Sequence, residues 1–185
     1  MTRYDKLLVL DLDETLVHAR EHELERAPDF SVGPYAIYRR PHLDAFLEGV
    51  LEAFDQVGVW TAGTLSYAQP VLEKIVDQRR LAFVWGRERC TYRYDREEDQ
   101  HVYLKPIHKL RRAGFRRERI LYVDDSPEKI AQSYSNLVSI RPYVGDLCDA
   151  ELPLVLSYLH TLGPVENVRP VEKRWWRVRL DRESE

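Results

Sequence analysis

Short uninterrupted apolar runs alternate with longer amphipathic stretches along the chain. The runs fall at 7–10, 57–60, 81–84, 120–123 and 136–140. Unbroken runs of this length fit strands covered on both faces, not strands with one wet face. Between them, the segments near 42–53, 65–78, 107–113, 127–133 and 149–162 carry helical periodicity. Strand and helix in alternation predict an α/β, Rossmann-like parallel sheet with helices on both faces. Two stretches, 19–40 and 86–104, break the alternation with mixed aromatic, charged and turn residues, as in Val32-Gly-Pro-Tyr-Ala-Ile-Tyr38 and Cys90-Thr-Tyr-Arg-Tyr94. They read as small β-hairpin insertions, neither long enough for a large cap domain. One domain over 1–165 and a C-terminal extension over 166–185 are expected. In that extension Trp176, Val178 and Leu180 alternate like one face of a strand, which outweighs reading Lys173–Arg179 as a base-stacking segment.

The polar residues that end the apolar runs change the picture. Asp11 and Asp13 follow directly on Leu10, Asp124 and Asp125 follow on Val123, and Thr61 follows on Trp60. Anions two residues apart repel each other, so keeping them ionised at a strand end calls for a hard divalent cation. In open parallel sheets, ligands sit beyond the carboxyl ends of the strands where the winding reverses. Asp11, Asp13, Asp124 and Asp125 are therefore the candidate magnesium site. Thr61 and Lys105 are the candidate oxyanion holders, with Lys109 as the fallback amine. Pro106 fits the first position of a helix, so Lys105 is expected to project from a helix start. Glu14 reads as a solvent-facing turn residue, and His18 and His42 as structural hydrogen-bonders.

The chain has 185 residues, 44% hydrophobic and 32% charged, with net charge −3. That suits one globular domain and gives no general attraction to nucleic acid or anionic membranes. No apolar stretch reaches the ~20 residues of a spanning helix, and no signal-peptide core opens the chain. A soluble, cytoplasmic protein without membrane partners is expected. Cys90 and Cys148 lack metal-ligand spacing, and Cys90 reads as a buried structural thiol, not a nucleophile.

The order Asp11-x-Asp13-x-Thr15, Thr61, Lys105, Asp124-Asp125 resembles the four motifs of the haloacid dehalogenase-like phosphohydrolases. Arg40-Pro-His-Leu-Asp-Ala-Phe-Leu47, Trp60-Thr-Ala-Gly-Thr-Leu-Ser-Tyr-Ala-Gln-Pro-Val71 and Val123-Asp-Asp-Ser-Pro127 narrow the resemblance. They are similar to the branch related to the phosphatases of the RNA polymerase II C-terminal domain. Asp125 stands where that branch usually has Asn, and Pro106 where it usually has Asp. The resemblance implies a magnesium-dependent phosphomonoesterase acting through an aspartyl phosphate. Asp11 would be the nucleophile and Asp13 the general acid and base. Thr61 and Lys105 would bind the phosphoryl oxygens. Mg²⁺ would rest on Asp11, the Asp13 main-chain carbonyl and Asp125, with Asp124 a second ligand or an acceptor orienting Lys105. Tyr67 and Arg87 would touch the substrate beside its phosphate. A phosphorylated protein is the expected partner. The alternatives are a small metabolite or nucleic acid end with the same chemistry, and a non-catalytic binding module of the same fold.

Overall fold

The computed structural model describes residues 3–95, 99–130 and 132–183. In chain order the elements are β1 (Tyr4–Leu10), β2 (Val17–Arg20), β3 (Phe30–Val32), β4 (Tyr35–Arg39), α1 (Leu43–Ala53), β5 (Phe54–Trp60), α2 (Leu65–Glu73), β6 (Phe83–Trp85), β7 (Thr91–Asp95), β8 (Gln100–Leu104), α3 (Ile107–Arg112), β9 (Ile120–Asp124), β10 (Leu137–Ser139), α4 (Glu151–Leu162) and α5 (Trp176–Glu183). The apolar runs become a parallel sheet of order β10-β9-β1-β5-β6.

β1 lies at its centre and explains why its run is unbroken. Leu8 and Leu10 pack into the core formed with α1, α2 and α4, while Leu7 and Val9 pack on the other face with Ile107 and Leu110 of α3. Burying each such side chain contributes ~1.5–3 kcal/mol before chain entropy is counted. The chain crosses from β1 to β5 on one side and returns to β9 on the other, so the winding reverses at β1. The ends of β1, β5 and β9 therefore open onto one crevice.

Both insertions are antiparallel, as their alternation predicted. One is a three-stranded sheet of order β2-β4-β3, the other the β7–β8 hairpin.

Three local expectations are corrected. The helical reading of 65–78 stops at Glu73, because Asp77 turns the chain by accepting from Arg79 N (3.1 Å) and caps a 3₁₀ turn at Gln78–Arg80. Leu81 N closes that turn on Gln78 O, so β6 starts at Phe83 and not at 81. The helix expected at 127–133 reduces, among the described residues, to a 3₁₀ turn at Pro127–Ile130.

The tail is not a strand. Trp176 is buried, stacks on Tyr158 (5.3 Å between rings) and donates its indole N–H to Ser139 O at 2.8 Å. Leu180, four residues on, joins the same core while Val178 is exposed, which is helical spacing and not alternation. α5 thus closes on α4 at the β10 edge of the sheet.

Candidate active site

β1 ends at Leu10, and Asp11 N still donates to Val123 O (3.0 Å), which fixes the Asp11 backbone against β9. Its side chain is buried. Oδ1 accepts from Leu12 N (2.8 Å) and pairs with Lys105 Nζ at 2.7 Å. Oδ2 lies 3.6 Å from Lys129 Nζ and receives no hydrogen bond among the described residues. Burial alone would raise the Asp11 carboxyl; Lys105 and Lys129 instead hold it below the usual range, ionised.

Lys105 is equally buried and bridges Asp11 to Asp124, whose Oδ2 accepts at 2.6 Å. Burial would lower this amine, but the two carboxylates carry it above its ordinary value. β8 delivers it, and Lys105 N donates to Lys129 O (2.8 Å), tying the two lysines together. Pro106 is the N-cap of α3, outside its first turn, so Lys105 precedes the helix by two residues and does not project from it. Lys109, the fallback amine, is spent on the carbonyls of Arg89 (2.8 Å) and Cys90 (3.0 Å).

Asp124 ends β9. Its Oδ1 accepts from Ser126 N (2.9 Å), so both its oxygens have protein donors. Asp125 has Oδ2 on Ser126 Oγ (3.2 Å), but its buried Oδ1 is unpartnered among the described residues. Burial and the nearby Asp11 raise both carboxyls. Carboxylate oxygens of Asp11, Asp124 and Asp125 lie within 4.8 Å of one another. Two orphaned buried oxygens among three converging carboxyls fit a hard cation and fit nothing apolar.

Asp13 stands apart from that cluster. Oδ1 accepts from Tyr67 OH at 2.6 Å and Oδ2 from Thr61 Oγ1 at 3.0 Å. Thr61 continues β5 by donating N–H to Trp85 O, and its Oγ1 accepts from Gly63 N at 2.9 Å. Its hydroxyl proton is thus committed to Asp13. Burial raises the Asp13 carboxyl against the lowering effect of these two donors. Tyr67 reaches it from α2, with its ring edge-on to Tyr35 of β4 (5.5 Å). Replacing Tyr67 with Phe removes one of the two donors that aim Asp13, and kcat is expected to fall about 10-fold with the melting temperature nearly unchanged. Parallel steady-state kinetics and thermal melts check this.

Arg87 forms no ion pair among the described residues. Its Nε donates to Ala62 O and its N to Gly63 O, both at 2.7 Å, and its guanidinium lies over the Tyr103 ring at 4.6 Å. It ties the turn after Thr61 to the β7–β8 hairpin. Cys90 is buried, with Sγ toward Thr61 O (3.7 Å), and burial raises its thiol, as a structural role requires.

Three features lie outside what the residue pattern foretold. Lys129, in the 3₁₀ turn after Asp125, faces Asp11, Asp124 and Asp125, which raise its amine. Glu14 is a turn residue with φ of 60°, but it does not simply face solvent. Its carboxylate lies 2.7 Å from His18 Nδ1, and burial, then Asp125 and Asp13, push it up to about 7. Arg40 is a buried strut. It grips Asp149 with two bonds of 2.8 Å and donates to Thr15 O (3.1 Å) and Arg141 O (2.9 Å), holding the loop after Asp13 in place.

A buried carboxylate held between the buried Lys105 and the partly exposed Lys129 at the switch point of such a sheet fits the class of haloacid dehalogenase-like α/β phosphohydrolases. The profile of the NLI interacting factor-like phosphatase family matches residues 6–169, and the chain belongs to that family. Among its relatives is Nuclear envelope morphology protein 1 of Schizosaccharomyces pombe (strain 972 / ATCC 24843), 31% identical over 174 residues, 89% of this chain and 34% of that protein. A probable C-terminal domain small phosphatase of Dictyostelium discoideum is 33% identical over 90% of this chain and 53% of its own length. Carboxy-terminal domain RNA polymerase II polypeptide A small phosphatase 1 of Homo sapiens is 31% identical over 90% of this chain and 63% of its own. The chain thus spans between a third and two thirds of these relatives. The fission yeast RNA polymerase II CTD phosphatase Fcp1, solved with beryllium fluoride, shares the fold with a TM-score of 0.57, 20% identity, and coverage of 97% of this chain and 56% of that one.

Proposed function

We propose that this protein is a magnesium-dependent phosphoprotein phosphatase, specific for phosphoserine or phosphothreonine, working through a phosphoryl group carried on Asp11. The observation that carries this reading is the ionised Asp11, buried between Lys105 and Lys129 with one oxygen that receives no hydrogen bond among the described residues, two residues from a carboxyl held by Tyr67 and Thr61.

Asp11, Asp125 and Asp124 would hold the ion. Asp125 is the direct ligand of choice because its buried oxygen has no other partner, whereas Asp124 spends both oxygens on Lys105 and Ser126. Bound there, Mg²⁺ supplies Lewis-acid neutralisation of the phosphoryl oxygens. Asp11 attacks phosphorus, and the bond to the leaving serine or threonine oxygen breaks as Asp13 gives that oxygen its proton. Asp13 then takes a proton from water as the water oxygen attacks phosphorus and the Asp11–phosphorus bond breaks, releasing phosphate and restoring both carboxyls. A carboxyl raised by burial and aimed by two donors suits both proton transfers. Lys105 and Lys129 offset negative charge that grows on the phosphoryl oxygens.

Asp125→Asn removes one of the three converging carboxylates. Mg²⁺ is expected to bind at least about 10-fold more weakly, a loss of the size that changes around metal ligands produce. Calorimetric titration of both proteins checks this, and equal affinities would mean that the negative charge of Asp125 adds nothing to ion binding.

A phosphorylated protein is favoured over a small metabolite because the flanking insertions are small sheets, leaving the crevice without a large cover. The β7–β8 hairpin adds an exposed aromatic face of Tyr92 and Tyr94 beside it. Among the described residues, no helix is long and apolar enough to cross a membrane. A cytoplasmic location belongs to the same proposal, in keeping with two unpaired cysteines, one of them exposed. The test is phosphate release, with Mg²⁺ or chelator, from p-nitrophenyl phosphate, phosphopeptides, sugar phosphates and phosphorylated oligonucleotides. Chelator-sensitive turnover that is fastest on phosphopeptides is expected. Turnover no better on phosphopeptides than on sugar phosphates would move the substrate class to metabolites, and none on any member would leave a binding module.

A further inference from the structure

The net charge of −3 conceals a strong local excess of the opposite sign. From α3 to the start of β9 the chain carries Lys109, Arg111, Arg112, Arg116, Arg117 and Arg119 against one acid, Glu118. Lys109 and Arg119 are engaged, the first on backbone carbonyls and the second on Asp5. Arg111, Arg112, Arg116 and Arg117 form no ion pair among the described residues, and neither does Arg169, which joins them from the segment before α5.

Four of these arginines share one hollow. Arg111, Arg116, Arg117 and Arg169 line a concavity of about 460 Å³, together with Phe115 and Glu118. Arg117 Nε is buried there and unpartnered among the described residues. Arginine presents a planar fork that matches phosphate with two parallel bonds, and uncompensated arginines around one hollow select for such an anion.

The hollow sits at the amino end of β9, the end opposite the catalytic carboxylates. Five strand residues separate the two levels, roughly 16 Å at about 3.3 Å per residue. Arg169 also lines a cavity of about 670 Å³, which runs along the outer edge of β10 past Tyr134, Leu137 and Val171 to Pro127. Pro127 lies two residues after Asp125, and Arg169 lines both this cavity and the arginine hollow.

We propose that the arginine hollow docks a second phosphoryl group of a multiply phosphorylated protein substrate, a reading that rests on the phosphoprotein assignment made above. At about 3.3 Å per residue a substrate chain needs at least about five residues to span that distance directly, and a spacing of about eight leaves slack for the path around the β10 edge. A membrane surface is the less favoured occupant, because the arginines line one small hollow that also holds Glu118 and do not form a run of basic residues along an amphipathic helix. The lining argues against single-stranded nucleic acid, which needs exposed aromatic platforms. Phe115 is half-buried and packs toward Phe83 at 6.1 Å.

The test compares the native protein with the Arg111→Ser/Arg116→Ser double variant, both positions being exposed and outside the catalytic crevice. Peptides of one sequence carry a phosphoserine alone, or with a second phosphoserine eight residues to either side. For the native protein, kcat/KM is expected to be about 10-fold higher on one of the doubly phosphorylated peptides. The double variant should lose that preference while its p-nitrophenyl phosphate turnover and melting temperature match the native values. Fluorescence anisotropy with the same labelled peptides reads docking without catalysis. If no peptide is turned over, the catalytic assignment fails while a 10-fold weaker Kd in the double variant still upholds the docking site. Equal Kd values for native and variant overturn the proposal. So does equal binding when glutamate replaces the second phosphoserine, or tighter binding of a single-stranded oligonucleotide or of phosphatidylserine vesicles.

Discussion

Asp11→Asn is expected to lower phosphate release by ~10⁴-fold or more, the scale on which loss of a catalytic nucleophile is felt. The amide is nearly isosteric, and its oxygen can still accept from Leu12 N and Lys105 Nζ, the two donors that hold Oδ1. What is lost is nucleophilicity and one of the negative charges that would hold the ion. The fold should survive, because Lys105 keeps its 2.6 Å pair with Asp124. Stopped and continuous phosphate-release assays, with circular dichroism on the same samples, separate lost chemistry from lost structure. A variant that stays folded and retains a tenth of native turnover would remove Asp11 from the reaction.

The second large effect concerns a residue that touches no substrate. Arg40→Ala should destabilise the protein by about 3–5 kcal/mol, the usual consequence of breaking a buried ion pair from one side. The Arg40 side chain has no exposed surface, and its removal leaves Asp149 without its cation, with Glu151 N still donating to it, and takes a donor from the carbonyls of Thr15 and Arg141. For a chain of this size the loss corresponds to a melting temperature roughly 10 °C lower. Arg40→Lys should recover only part of it, since one ammonium cannot reproduce the two-bond grip on Asp149. Urea unfolding of the three proteins measures this directly. Native-like stability of Arg40→Ala would mean that the loop after Asp13 is held by other contacts.

What the sequence disclosed follows from abrupt physical boundaries. A strand buried on both faces must be apolar until it ends, so Asp11, Thr61 and Asp124 marked their own positions at the ends of β1, β5 and β9. Lys105 was legible from its place between the second and third of these landmarks, and the hairpin alternation of β7 and β8 from their aromatic spacing. Lys129 was not legible, because a lysine after Pro127 in a polar stretch looks like any solvated turn. Only the return of the chain under Lys105 brings it to Asp11. Tyr67 sat on an apolar helix face where a core role and a site role share the same spacing. Its hydroxyl bond to Asp13 depends on how α2 packs beside Tyr35. Glu14 was misread because a left-handed backbone turn carries its side chain over His18, a geometry that a run of Asp, Glu and Thr does not announce. The tail was misread because Trp176, Val178 and Leu180 satisfy both periods over so short a segment; only the burial of Trp176 and Leu180 against an exposed Val178 separates them.

The central claim is that the phosphoryl group passes through Asp11, and trapping it there tests that claim most directly. The Asp13→Asn protein, which keeps the nucleophile but can neither protonate a leaving alkoxide nor activate water, is mixed with Mg²⁺ and radiolabelled p-nitrophenyl phosphate, whose leaving group needs no proton, quenched in acid and mapped by mass spectrometry. The account predicts a single acid-stable label, on Asp11, that disappears when Asp11→Asn is added to the same protein. Native turnover accompanied by label on any other residue, or by a burst of free phosphate with Asp11 never modified, would contradict it.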